Sequence, residues 1–126
     1  LTKKNFFYKT LIFPNKNIYS NKIGNGCVLE PNILVANDVL LGIGNFIFYG
    51  SSIAHKVNVG NFCNIGCNVV ISGNTKIGNK VIIGANTFIS NNLDICDNVT
   101  ITPGSVILKS IKKPGIYQNN IIIKSI

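Results

Sequence analysis

The chain has 126 residues, 46% hydrophobic and only 13% charged, and its net charge of +8 comes from lysine alone. That length sets one domain, and isoleucines spaced singly or in short groups exclude a membrane span. Dispersed lysines, without arginine or interleaved aromatics, argue against a nucleic-acid reader. No secretory signal opens the chain. Cys27, Cys63, Cys67 and Cys96 follow no metal-finger spacing and read as reduced thiols of a cytoplasmic protein. The absence of methionine hints at a fragment or a processed start.

In chain order, residues 1–22 form an entry segment outside any repeat. Asn5-Phe6-Phe7-Tyr8 suggests a short strand, and Leu11-Ile12-Phe13-Pro14 an extended lead, since proline biases its neighbour away from helix. Ile18 falls five residues before Ile23, which predicts an irregular half-coil.

Residues 23–112 repeat with a period of six. Every sixth residue from Ile23 through Leu29 and Val35 to Ile107 is β-branched or leucine. A smaller inward set follows four residues behind, from Cys27 and Ile33 to Ile111. Neither an α-helix nor a long alternating strand has this period. A short strand followed by a tight corner does. Asn25, Asn37, Asn61, Gly73, Asn79, Asn91 and Asp97, two residues after the aliphatics, are residue types that tolerate a left-handed corner. Units this short bury nothing alone, so they must wind into a solenoid around a shared aliphatic column. The fold class is all-β, a parallel β-helix. Lys113-Pro114-Gly115 breaks the period, and residues 113–126 read as cap strands over the open end.

The repeats Ile77-Gly78-Asn79-Lys80-Val81-Ile82 and Ile83-Gly84-Ala85-Asn86-Thr87-Phe88 resemble the hexapeptide signature of left-handed β-helix acyltransferases. The resemblance implies a left-handed winding with three hexapeptides per coil, hence about five coils, and a homotrimer binding its cofactor between neighbouring prisms. Over residues 11–118 it sharpens toward the sialic acid O-acetyltransferase and UDP-amino-sugar N-acetyltransferase family. Leu11-Ile12-Phe13-Pro14 is similar to that family's entry motif, with Phe13 in place of histidine. Ser51-Ser52-Ile53-Ala54-His55 is similar to its active-site turn, Ile71-Ser72-Gly73-Asn74 to its acyl-CoA turn, and Pro103-Gly104-Ser105-Val106-Ile107 to its closing coil. Members usually carry an N-terminal nucleotide-binding domain, for which this chain has no room.

His55 is the only histidine, and it sits at a corner. Every eighteenth residue should stack, so its column reads Asn37, His55, Gly73, Asn91, Lys109. Acetyl transfer from a thioester needs a base near neutral pH and a donor for the developing oxyanion. His55 suits the first task, and the Gly73 N–H the second. The resemblance then implies acetyl-CoA as co-substrate, held by Gly73, Asn91, Lys109 and Lys113. It implies a sugar acceptor, either nucleotide-linked and aminated or sialic-acid-like, in bacterial surface-glycan synthesis, with Phe48, Lys56 and Asn64 at substrate positions. Ala54 and Lys56 stand where relatives have acidic residues, Asn64 where some have a second histidine and Phe48 where many have asparagine. These departures keep a silent β-helical binding or scaffold protein as the alternative. One histidine and four carboxylates disfavour a metal site.

Overall fold

The computed structural model describes residues 9–15 and 17–126. The strand expected over Asn5 to Tyr8 lies outside them. The chain is built almost wholly of two-residue strands separated by tight corners, winding as a parallel β-helix with three flat faces.

One face carries β1 (Leu11–Ile12), β2 (Val28–Leu29), β5 (Phe46–Ile47), β8 (Asn64–Ile65), β11 (Ile82–Ile83), β14 (Val99–Ile101), β16 (Gly115–Gln118) and β17 (Ile121–Ser125). The second carries β3 (Leu34–Val35), β6 (Ser52–Ile53), β9 (Val70–Ile71), β12 (Phe88–Ile89) and β15 (Val106–Ile107). The third carries β4 (Leu40–Leu41), β7 (Asn58–Val59), β10 (Lys76–Ile77) and β13 (Asp94–Ile95). Neighbours are parallel, in eighteen-residue register from β2 to β15, for example Ile53↔Ile71 and Ile77↔Ile95. The step is seventeen from β1 to β2 and sixteen from β14 to β16, and β17 turns back antiparallel on β16.

The second residue of each two-residue strand from β2 onward points inward. Leu29, Val35, Ile47, Ile53, Ile65, Ile71, Ile89 and Ile107 are completely buried. Each buried branched aliphatic contributes about 1.5–3 kcal/mol relative to exposure, so the column is the main source of stability. The inner set also holds Asn45, Ser51, Thr75, Thr87 and Ser105, and these are tied to backbone. Asn45 donates to the Gly60 carbonyl (2.8 Å) and accepts the Cys63 N–H (2.8 Å). Ser51 does the same with Gly66 (2.7 Å) and Val69 (3.1 Å). Among the described residues, no buried side-chain polar atom lacks a partner.

Two expectations need correction. The left-handed residue of each corner comes three, not two, residues after the aliphatic: Asn32, Asp38, Lys56, Phe62, Asn68, Asn74 and their successors have φ near +60°. The earlier corner position lies in the turn without a left-handed φ, as at Gly73. The winding also has six levels rather than five, because the first is a full coil. Ile18 bridges Val35, and Ile23 bridges Leu41. Thr10 donates to Gly24 O (2.6 Å), Asn15 accepts the Ile33 N–H (2.9 Å), and Ser20 donates to Val39 O (2.6 Å). Side-chain bonds at the corners do there what the repeat does elsewhere.

Candidate active site

The His55 column is the corner where the chain leaves the second face for the third. Its backbone is held coil to coil by the residue after each corner position. Lys56 donates to the Asn37 carbonyl (3.2 Å), Asn74 to the His55 carbonyl (3.1 Å) and Asn92 to the Gly73 carbonyl (3.0 Å). His55, Lys56 and Asn91 are exposed, yet Gly73 is buried. The imidazole covers it. A Cβ on Gly73 would come within 3.0 Å of His55 Cε1 and 3.1 Å of Nε2. The ring therefore occupies the space that a side chain at Gly73 would need. Nothing among the described residues accepts the Gly73 N–H. A histidine nitrogen and an uncommitted backbone donor thus stand together at one corner.

The corner between the third and first faces is built otherwise. There the Ile43 N–H donates to Asn61 Oδ1 (2.9 Å), Asn61 N–H to Asn79 Oδ1 (2.8 Å) and Asn79 N–H to Asp97 Oδ1 (2.7 Å). This ladder consumes the donors that the His55 corner leaves open. At the remaining corner the exposed Tyr49 phenol is pushed up by its hydrogen bond to Cys67. Burial raises the Cys27 and Cys63 thiols, which donate to the Gly42 and Gly78 carbonyls at 3.1 Å each. They act as core groups. All four cysteines are free.

The other candidates divide. Lys109 tops the His55 column beside a cleft of about 560 Å³ lined by Val106, Leu108, Lys109, Asn119, Asn120 and Ile121. Asn120 fixes that end, accepting the Leu108 and Lys109 N–H groups (2.7 and 3.2 Å) and donating to the Lys109 carbonyl (2.8 Å). The adjacent asparagines of the final hairpin were the only sequence signal for this cleft. Lys113 stands at a different corner, above the third face, where its carbonyl accepts the Tyr117 hydroxyl (2.7 Å). Phe48 and Asn64 belong to the first face, Phe48 stacked on Phe46 with ring centroids 4.5 Å apart. Within one chain, neither shares the His55 corner. Among the described residues, no three potential metal ligands gather, and no helix is long and apolar enough to cross a membrane.

The bacterial transferase hexapeptide family (six repeats) matches residues 74–109. Over 98 residues the chain is 43% identical to a UDP-3-O-acylglucosamine N-acyltransferase of Coxiella burnetii, covering 78% of the chain but only 28% of that relative's length. Its backbone resembles the acetyltransferase domain of PglB from Neisseria gonorrhoeae in complex with acetyl coenzyme A (TM-score 0.85, 24% identity, 94% of this chain and 59% of that one). It also resembles PerB from Caulobacter crescentus in complex with CoA and GDP-perosamine (TM-score 0.81, 18% identity, 89% and 56%). By its six-residue period and its winding, the chain has the β-helix fold of these hexapeptide-repeat proteins.

Proposed function

We propose that this β-helix transfers an acetyl group from acetyl-CoA to a sugar, nucleotide-linked and aminated or sialic-acid-like, in the cytoplasmic synthesis of a bacterial surface glycan. The observation that carries this reading is the His55 imidazole resting against Gly73. At this corner a thioester would meet a base and a backbone donor together, and no intervening side chain would block it. His55 Nε2 takes the proton from the attacking amine or hydroxyl as the new bond to the acetyl carbon forms. The Gly73 N–H stabilises the charge gathering on the carbonyl oxygen. The C–S bond then breaks, and His55 returns its proton to the departing sulfur, releasing the CoA thiol. The fit to acetyl-CoA rests on the cleft at Lys109, three coils along the same column or about 14 Å at the usual strand spacing. Lys109 supplies a point charge for phosphate there. The PglB complex with acetyl coenzyme A supports the same co-substrate, and the PerB complex with CoA and GDP-perosamine supports a nucleotide-linked sugar as acceptor.

Because Phe48 and Asn64 stand away from His55, a substrate touching all three would have to lie between two copies. A homotrimer of parallel prisms provides that arrangement. Exposed Val70, Ile82, Phe88 and Val106 (40–48% accessible) give it apolar surface to bury.

The test is thermal unfolding with and without acetyl-CoA, followed by turnover on GDP-perosamine and UDP-linked amino sugars. Binding at a hundredfold excess over Kd should add about 2.7 kcal/mol. An unchanged melting temperature and no turnover would favour the scaffold reading, which Lys56 beside the histidine keeps in view.

A further inference from the structure

An imidazole that works as a base through one nitrogen needs an acceptor on the other, to select the tautomer and hold the ring. His55 presents Nε2 to Gly73. Among the described residues, no acceptor holds its other nitrogen, and the residue that follows it is Lys56, a donor. The column supplies a carboxylate from another coil. Asp38 stands eighteen residues before Lys56, and the Lys56 N–H donates to the carbonyl of Asn37, its neighbour in the chain. Asp38 and Lys56 share the left-handed conformation, with φ of 61° and 59°, so their Cα–Cβ bonds run side by side. A coil step of about 4.8 Å and a residue step of about 3.8 Å put the Asp38 and His55 Cα atoms about 6 Å apart. A carboxylate and an imidazole can bridge that distance.

We propose that Asp38, on the coil below, is the positioning residue for His55, accepting its Nδ1–H and leaving Nε2 bare toward Gly73. Asp38 is exposed and lies on the opposite side of His55 from Gly73 in the stack. Among the described residues, the other charged groups on this corner column are Lys56, beside His55, and Lys109, three coils above it. Asn37, Asn74, Asn91 and Asn92 are neutral, as are Ser52 and Val70 on the adjoining face. The proposal rests on the reading of His55 as base, yet it carries an observable of its own.

That observable is the tautomer of the only histidine, read from long-range ¹H–¹⁵N spectra of the whole chain above neutral pH. The wild type should hold its proton on Nδ1. Asp38→Asn keeps a residue that accepts the left-handed corner, so it removes the carboxylate without disturbing the turn, and the proton should move largely to Nε2. Asp38→Glu should restore the wild-type spectrum. With acetyl-CoA and GDP-perosamine, kcat in Asp38→Asn should fall about tenfold, with KM for acetyl-CoA unchanged and the acidic limb of the pH profile displaced. Lys56→Ala should reproduce neither effect. An Asp38→Asn spectrum identical to wild type overturns the proposal, whatever the turnover. Full activity in His55→Ala would instead overturn the catalytic reading, leaving the tautomer result to stand or fall alone.

Discussion

Two corners of the same prism use one backbone for opposite ends. At the Asn61–Asn79–Asp97 corner, each side-chain oxygen caps the N–H of the coil below, within 2.7–2.9 Å. Glycines at Gly42, Gly60 and Gly78 leave room for those oxygens. At the His55 corner no such cap forms, and the one glycine, Gly73, makes room for an imidazole instead. The first corner is a closed hydrogen-bond ladder; the second exposes donors and a base. Glycine is required at both, for structure in one case and for chemistry in the other.

The sharpest break in that comparison is His55→Ala. It opens no core cavity, so unfolding should be unchanged while turnover falls by about 10²- to 10⁴-fold. Equal losses of stability and activity would mean that the two corners do not differ in kind.

The glycines give the next contrast. A Cβ on Gly60 would press on the Gly78 carbonyl at 2.6 Å and on Asn79 Oδ1. Backbone cannot swing aside, so Gly60→Ala should destabilise by about 2 kcal/mol or more in chemical denaturation. At Gly73 the added methyl meets a rotatable ring. Gly73→Ala should cost less stability than Gly60→Ala, but it should raise KM for acetyl-CoA by pushing the imidazole out of place. Similar denaturation midpoints for the two variants would erase the distinction.

A smaller effect is expected from Asn79→Ala. It leaves the Asn61 N–H without its acceptor at a partly exposed site, costing about 1 kcal/mol, with kcat untouched. Loss of turnover there would show that the ladder corner also takes part in catalysis.

The smallest effect is in alkali. Burial raises the Cys27 and Cys63 thiols on the inner side of the ladder corner. Since the folded state resists their ionisation, their contribution is intact below the ordinary thiol value, about pH 8.5, and is lost as pH rises beyond it. Stability should therefore be level through neutral pH and decline above about pH 9. A Cys27→Ala, Cys63→Ala double variant should show a shallower decline; an unaltered slope would assign it to other groups.

The solenoid was legible in the order of residues because a six-residue aliphatic period has one economical solution. Each inward side chain must meet its copy on the next coil, and Leu29 through Ile107 do so at full burial. The stacking of His55 under Gly73 followed from the same arithmetic. Where local chemistry competed with periodicity, sequence alone misplaced the details. Asparagine at the corners pointed to left-handed turns one residue early; at Asn61 and Asn79 the side chain instead caps a neighbouring coil. The left-handed position is meanwhile filled at Lys56, Phe62 and Lys80, residues that coil-to-coil hydrogen bonds hold there against their preference. The first coil was hidden because Thr10, Asn15 and Ser20 hold it by side-chain bonds to backbone 14 to 19 residues away, a pattern without hydrophobic period. Only the wound chain decides which residues share a corner. It sets Asp38 in the coil beneath His55 and keeps Phe48, Asn64 and Lys113 away from it, because in a three-sided coil six residues along the sequence means the next face and eighteen means the next neighbour.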